Sequence, residues 1–273
     1  RDVKRFLITE SLRGEGARLM NRKGEYFMER YEPELKDLAP RDEVSRAIYR
    51  EIEVEEDSFV LLDTTCIKGI SLKDRFPSIY TTCRDIGIDI EKEPIPVVPA
   101  AHYSCGGIKV NLNGKSCVKG LYSAGETACT GVHGANRLAS VSLLEGLYFG
   151  VKAGKALAKR RYSLSEELAA KIPGWIYPKN EIEFDPVLIS NDLMNIQATM
   201  WNYAGIIRTR RRLHRVISDL NYLSHRIEKF YREARLARPI IELRNAVLTA
   251  SIIAKAASSN SESKGCHYVR SEE

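Results

Sequence analysis

The sequence predicts a mixed fold of the α+β or α/β class that ends in an antiparallel helical bundle. Three observations support this prediction. A short apolar run at 58–62 is typical of a buried strand. Between Val97 and Phe149, glycine-rich turns separate short segments with strand character. After Asn191, apolar residues recur every three or four positions, which is the period of an amphipathic helix.

The first hundred residues combine helices with strands. Pro40 and Asp42 precede apolar positions at helical spacing between 44 and 52, and an acidic residue suits the first turn of a helix. The strand at 58–62 is expected to end at Asp63. Apolar residues at 76, 79 and 83 indicate a second helix, which a glycine at position 87 would end.

The glycine-rich stretch that follows is expected to contain a short strand at 121–124. A helix of roughly 20 residues then begins near Ser140, because apolar residues recur there at helical spacing. One side of this helix is expected to face the protein interior. That side consists of Leu143, Leu144, Leu147, Val151 and Ala158.

The remainder of the chain is predicted to be a linker followed by helices. Pro173 and Pro178 indicate a linker over 166–190. Beyond it, one apolar stripe predicts a long helix, and Pro239 separates that helix from another over 240–254. The stripe consists of Leu213, Val216, Ile217, Leu220, Leu223, Ile227 and Phe230. Consecutive amphipathic helices of this kind predict an antiparallel bundle.

Composition excludes several classes of protein. The chain has 273 residues and a net charge of +6, which suits an enzyme that handles anions. No run of 18 apolar residues indicates a membrane span, and no signal peptide is visible. The six cysteines form no CxxC pair, so we expect free thiols in a reducing compartment and no metal site. The basic run at 208–215 is interpreted as a solvated or interdomain helix face and not as a nucleic-acid site.

One segment carries the residues expected to do chemistry. Gly125-Glu126 follows the predicted strand, where glycine allows close backbone approach and a carboxylate can accept hydrogen bonds from sugar hydroxyls. A glycine-lined loop then brings Arg137 to the start of the long helix. Helix amino termini attract electron-rich groups, and a guanidinium can bind a carboxylate with two hydrogen bonds. His102 would add a second contact of this kind.

The same segment resembles the signature blocks of the succinate dehydrogenase, fumarate reductase and L-aspartate oxidase flavoprotein superfamily. The matching blocks are HYSCGGI at 102–108, GLYSAGE at 120–126, GVHGANRLAS at 131–140 and SLLEG at 142–146. Upstream, residues 7–17 resemble the family's capping segment, and Leu38–Asp42 resembles the block that carries the catalytic arginine. The resemblance implies a capping domain at 1–100, the C-terminal part of an FAD-binding domain at 101–165, the linker at 166–190 and a helical domain at 191–273.

The resemblance also implies roles for particular residues, with FAD as the cofactor. Arg41 would be the proton donor or acceptor, and it forms the catalytic set with His102 and Arg137, which would bind a substrate carboxylate. The remaining roles are substrate positioning by Thr9 and Glu10, and contact with FAD by Glu126, Ser142 and Leu143. No GxGxxG fingerprint follows a strand, so we expect the phosphate-binding unit upstream of this chain, which we interpret as a fragment that is inactive alone.

Within the superfamily, the chain is most similar to L-aspartate oxidases. Cys105, Thr130-Gly131 and the segment at 201–209 resemble the oxidase version of their blocks. The implied reaction is FAD-dependent oxidation of L-aspartate to iminoaspartate, with O2 (giving H2O2) or fumarate as acceptor, as the first step of de novo NAD biosynthesis. A functional coupling to quinolinate synthase and a cytoplasmic location, or a plastid one in a plant, are further expectations.

Two alternatives stay open on the sequence. One is a flavoprotein of the succinate dehydrogenase or fumarate reductase type, and the other is a truncated, non-catalytic remnant. The chain departs from the family pattern at Val141, where the family usually has Asn, and at Lys264, where it usually has Arg. Both departures replace a polar group that could form directed hydrogen bonds.

Overall fold

A computed structural model of the chain describes residues 6–159, 165–174, 176, 183 and 185–271. The chain divides into two compact units, Arg1–Ala101 and His102–Glu273. Part of the predicted linker, at 175, 177–182 and 184, lies outside the described residues. The described part of 166–190 contains a short helix, Glu166–Ala170, and the first turn of a longer helix that begins at Pro186.

The first unit contains these elements in order: α1 (Ser11–Gly14), β1 (Arg18–Met20), α2 (Met28–Tyr31), α3 (Arg41–Glu55), β2 (Val60–Asp63), α4 (Leu72–Arg75), α5 (Pro77–Asp85) and β3 (Ile95–Val97). The three strands form an antiparallel sheet in the order β1-β2-β3. Leu62 pairs with Leu19 on one side and with Ile95 on the other. These three leucine and isoleucine side chains are buried, and they belong to the core that the helices cover.

The predicted elements of the first unit are confirmed, with shifted ends. Helix α3 begins at Arg41 because Pro40 has an extended ψ of 148° and therefore stops a helix from starting earlier. Asp42 and Glu43 occupy the first turn, where carboxylates interact favourably with the helix dipole. The strand starts at Val60, two residues later than predicted, and α5 covers the second predicted helix.

The second unit contains these elements in order: β4 (Ile108–Lys109), β5 (Ala128–Cys129), α6 (Ser142–Ala158), α7 (Glu166–Ala170), α8 (Pro186–Ala204), α9 (Arg210–Glu233) and α10 (Arg238–Ser259). The two short strands pair in parallel. The prediction of a strand at 121–124 is wrong, because only Tyr122 forms a bridge, to Lys115. Gly120 and Gly125 on either side have φ angles of +89° and +75°, which interrupt an extended conformation after four residues.

The prediction for the apolar side of α6 is also wrong. Its four large members are exposed, from 47% at Val151 to 88% at Leu143, and Ala158 is exposed as well. The buried positions are Glu145, Phe149 and Ala153. Small residues on this face allow the close approach of the turns. A Cβ atom on Gly114 would lie 3.0 Å from the Ala153 Cβ atom, and a Cβ atom on Gly146 would contact the Gly125 Cα atom at 3.6 Å. The glycine-rich turns therefore pack against the small-residue face of α6, and the leucine side chains are exposed.

The helical bundle agrees with the prediction. Helix α9 packs against both α8 and α10. Five residues of the predicted stripe are buried, and Ile217 and Phe230 pack against them as partly buried side chains. Thr209 starts α9 by accepting a hydrogen bond from the backbone N–H of Arg212 at 3.2 Å. Among the described helices, none has the length and apolar character needed to cross a membrane.

Candidate active site

The first unit places Glu10 between two arginines. The Arg41 guanidinium donates a hydrogen bond from Nε to Glu10 Oε2. On the other side, Arg13 Nη2 lies 3.8 Å from Glu10 Oε1. The structure therefore brings two predicted site residues together and adds Arg13, for which the sequence suggested no role. The third predicted residue of this group, Thr9, is adjacent in the chain and hydrogen-bonds to Ser11 at 3.3 Å.

Burial distinguishes Arg13 from Arg41. Desolvation lowers the pKa of Arg13, although the nearby carboxylates of Glu10 and Asp37 oppose this effect. Burial also raises the pKa of Asp37, whose carboxylate accepts a hydrogen bond from the Leu19 backbone at 2.7 Å. The Arg41 side chain is 43% exposed. Of the two arginines that contact Glu10, Arg41 is therefore the one that a substrate can reach.

The second unit holds the Arg137 guanidinium on two sides. Its Nε donates to the Ser142 hydroxyl at 2.9 Å. Its central carbon lies 4.8 Å from the centre of the Tyr103 ring, which is the geometry of a cation–π contact. Within the described part of the chain, no hydrogen bond or ion pair engages the two terminal nitrogens of Arg137. That arrangement leaves a planar pair of donors that can bind a carboxylate.

The start of α6 lies beside this arginine. Its N-cap residue is Val141, which has no side-chain oxygen, and no cap hydrogen bond is made. The first bond to the Val141 carbonyl comes from Glu145, so the N–H groups of Ser142, Leu143 and Leu144 have no acceptor within the described residues. Uncapped N–H groups with a positive dipole end suit an electron-rich ring or an anion. This donor set fits the predicted flavin contacts of Ser142 and Leu143.

Glu126 and His102 are connected through the backbone. Glu126 Oε1 accepts a hydrogen bond from the Ser104 N–H at 2.8 Å, two residues after His102. Glu126 thereby fixes the loop that carries His102. The His102 side chain itself is exposed, and no polar contact to it occurs among the described residues.

Four further residues of this unit form a cluster around a buried carboxylate, which we call the Glu145 cluster. It consists of Tyr103, Thr130, His133 and Glu145. All four lie within or beside the blocks that identified the family, but burial cannot be seen in a sequence, so no role was predicted for them. The one signal was a carboxylate in an otherwise apolar helical run, between Leu144 and Gly146.

The segment that follows α10, which we call the C-terminal segment, contacts the loop that carries Arg137. The Cys266 backbone N–H donates to Ala135 O at 3.0 Å, and the Cys266 thiol donates to Asn136 Oδ1 at 3.2 Å. At its other end, this segment is paired with Arg208, whose backbone exchanges hydrogen bonds with Tyr268 and Arg270. Burial lowers the pKa of Arg208. The first arginine of the basic run is therefore a structural contact.

No group of three or more His, Cys, Asp or Glu that could hold a metal ion occurs among the described residues. All six cysteines are free thiols, as predicted.

Two family models match the chain. The FAD binding domain family matches residues 1–143, which is more than half of the chain. The family described as Fumarate reductase flavoprotein C-term matches residues 194–272. The second match covers most of α8, the whole of α9 and α10, and the C-terminal segment.

Several curated relatives are L-aspartate oxidases. The protein from Acinetobacter baylyi is 42% identical over 266 residues, which are 97% of this chain and 48% of that protein. The protein from Pseudomonas aeruginosa is also 42% identical, over 97% of this chain and 49% of its own length. A chloroplastic L-aspartate oxidase from rice (Oryza sativa subsp. japonica) is 37% identical, over 96% of this chain and 42% of its own length. The chain thus spans about half the length of the curated relatives it matches.

Two solved structures are similar to this chain in fold. A quinol-fumarate reductase with menaquinol molecules has a TM-score of 0.80 and 29% sequence identity, over 98% of this chain and 52% of that chain. Mycobacterium smegmatis Sdh1 in complex with UQ1 has a TM-score of 0.72 and 31% identity, over 98% of this chain and 47% of that one.

Proposed function

Because this chain belongs to the FAD-binding flavoprotein family of succinate dehydrogenases, fumarate reductases and L-aspartate oxidases, we propose that it carries the substrate-handling residues of an L-aspartate oxidase. The proposed reaction is oxidation of L-aspartate to iminoaspartate. The observation that carries the proposal is the Arg137 guanidinium, which is fixed on two sides and keeps its two terminal nitrogens available among the described residues.

Arg137 would bind one carboxylate of the substrate. A planar guanidinium matches the two oxygens of a carboxylate, and the aromatic and hydroxyl contacts of Arg137 reduce the entropy lost when the substrate binds. His102 would supply a second hydrogen bond to the substrate from the loop that Glu126 fixes. Binding of this kind orients the substrate Cα–H bond, and orientation can contribute several orders of magnitude to a rate.

FAD supplies the acceptor for the hydride that leaves the substrate Cα. The uncapped N–H groups of Ser142 and Leu143 would bind its electron-rich ring, where negative charge develops during reduction. Glu126 Oε2, which accepts no hydrogen bond among the described residues, would accept one from the cofactor. These residues hold one part of FAD, and the chain contains no GxGxxG sequence that would hold the pyrophosphate.

Arg41 and Glu10 would handle the proton. When the hydride leaves Cα, the amino group must lose a proton to form the C=N bond, so a basic group is needed. The Arg41 guanidinium is hydrogen-bonded to the Glu10 carboxylate, which offers a site to which a proton can pass. Thr9 and Glu10 would also position the substrate. Arginine has an ordinary pKa above about 12, so its function depends on this paired, positioned arrangement.

The electron acceptor and the metabolic role belong to the same proposal. O2, giving H2O2, or fumarate would reoxidise the flavin, and the iminoaspartate product would enter de novo NAD biosynthesis through a functional coupling to quinolinate synthase. The compartment, cytoplasm or plastid, stays a prediction.

The test uses what we call the completed protein, in which this chain follows the N-terminal half of the Acinetobacter baylyi relative. We expect the completed protein to bind FAD, visible as a flavin spectrum, and to release peroxide when L-aspartate is added. The Acinetobacter protein, assembled through the same junction, is the control for folding.

Three outcomes decide between the alternatives. Flavin reduction by L-aspartate supports the proposal. Reduction by succinate without reduction by L-aspartate would identify a flavoprotein of the dehydrogenase type instead. If the control binds FAD and turns over while the completed protein folds, binds FAD and oxidises neither substrate, the chain is a non-catalytic remnant.

A further inference from the structure

Glu145 is a carboxylate in a place where a charge is costly. Its side chain is 2% exposed on the packed face of α6, between Leu144 and Gly146. A buried carboxylate destabilises a protein unless other groups compensate for the lost water. Three side chains converge on this one: Thr130 donates to Oε1, the Tyr103 hydroxyl donates to Oε2 at 3.2 Å, and His133 Nε2 lies 2.9 Å from Oε2.

His133 links Glu145 to the loop that contains Arg137. Its Nδ1 accepts a hydrogen bond from the Leu138 backbone N–H at 3.2 Å, so the proton of a neutral ring is on Nε2. The Nε2–H does not point directly at the carboxylate oxygen, and it has no aligned acceptor among the described residues. The contact with Glu145 is therefore electrostatic, while the Nδ1 contact ties the backbone just after Arg137.

Tyr103 links Glu145 to the Arg137 side chain. The Tyr103 hydroxyl is held by Glu145, and the Tyr103 ring packs edge-on against the His133 ring with centroids 5.0 Å apart. The face of the same ring lies under the Arg137 guanidinium. Burial raises the pKa of the Tyr103 phenol, so it remains a hydrogen-bond donor at neutral pH. The orientation of the ring thus depends on Glu145 on one side and sets the position of Arg137 on the other.

We propose that Glu145 is a positioning residue for substrate binding, which acts through Tyr103 and His133 to hold the terminal nitrogens of Arg137 in place for a dicarboxylate. This inference rests on the proposed function, because it takes Arg137 as the group that binds the substrate carboxylate. Neither Glu145 nor Tyr103 needs to touch the substrate. The cluster explains why the chain keeps a charge on a helix face that would otherwise be apolar.

The test compares Tyr103→Phe and Glu145→Gln in the completed protein. Tyr103→Phe keeps the ring and removes only the hydroxyl, which hydrogen-bonds to Glu145 and also interacts with Ser142. We expect each variant to raise the Kd for succinate, measured by calorimetry, and the KM for L-aspartate by about tenfold, with a much smaller change in kcat. The effect of the double variant should be smaller than the sum of the two single effects, because both changes act on the same cluster.

Val151→Ala is the matched control on α6, because its side chain lies on the exposed face away from Glu145. A purely structural role for Glu145 would lower the unfolding temperature and the fraction of protein with bound FAD, and would leave the Kd and KM of the folded fraction unchanged. That result overturns the inference. It is distinct from failure of the proposed function, in which the parent protein itself would not oxidise L-aspartate. A parent that neither binds succinate nor oxidises L-aspartate would overturn both, since Arg137 would then bind no dicarboxylate.

Discussion

Gly265 connects the C-terminal segment to the loop that carries Arg137, and its replacement by alanine should loosen both. Gly265 has a φ of +55°, and a Cβ atom there would lie 2.5 Å from the Ala135 carbonyl oxygen. The left-handed conformation costs a non-glycine residue about 1 kcal/mol. Displacement of the segment would also break the hydrogen bond from the Cys266 N–H to Ala135, which contributes about 1 kcal/mol. The expected total for Gly265→Ala is therefore about 2 kcal/mol.

Gly134→Ala is the matched control for this prediction. Gly134 lies in the same loop, has a φ of +56°, and a Cβ atom there would meet nothing within 4 Å. It should show only the conformational cost of about 1 kcal/mol. Native-state hydrogen exchange of the Cys266 amide in the completed protein measures the local opening free energy. If the two variants protect this amide equally, the C-terminal segment does not hold the loop through this contact.

Three further predictions concern other parts of the chain. Arg41→Ala should abolish turnover of L-aspartate while the flavin spectrum of the completed protein stays largely unchanged, because Arg41 is proposed to handle the proton. Unchanged turnover would contradict this proposed role. Ser140→Gly should raise the free energy of unfolding by about 1 kcal/mol, because Ser140 has a φ of +62°, which strains a non-glycine residue. A denaturant titration that shows a lower free energy of unfolding would contradict this strain. The Tyr26 hydroxyl donates to Asp63 at 2.6 Å, which raises the pKa of Tyr26 from 10.0 to about 12. The stabilisation that this hydrogen bond contributes is therefore present below pH 10 and lost as pH rises through 12. Tyr26→Phe should flatten the alkaline part of a plot of the free energy of unfolding against pH. An equally steep curve would show that this contact contributes nothing to stability.

Features that depend on a local repeat could be predicted from the sequence. The stripe from Leu213 to Phe230 repeats at helical spacing, and the structure buries it as the period requires. Arg41 could be placed at a helix start because Pro40 and Asp42 give local signals that need no tertiary contact.

Features that depend on what packs against a segment could not be predicted. Helix α6 has apolar residues on one face, but the glycine-rich turns approach the face with Gly146 and Ala153, so the leucine face is exposed. Glu145 illustrates the same limit. Its spacing from Thr130 and Tyr103 along the chain does not indicate that the three side chains meet in one cluster.

Contacts between residues that are far apart in the sequence could not be predicted either. Cys266 meets Asn136 across 130 positions of the chain, and no local pattern indicates such a pair. The cysteine count predicted free thiols correctly, yet it could not show that one of these thiols donates a hydrogen bond beside the Arg137 loop.

The central claim is that Arg137 binds the substrate carboxylate through two parallel hydrogen bonds. Rapid-mixing measurement of flavin reduction by L-aspartate, in the completed protein and in its Arg137→Lys variant, tests this claim most directly. Lysine keeps the positive charge and loses the planar pair of donors. We expect Arg137→Lys to weaken L-aspartate binding by about tenfold or more, corresponding to about 1.4 kcal/mol or more, with bound FAD retained. Equal binding and equal reduction rates in the two proteins would contradict it.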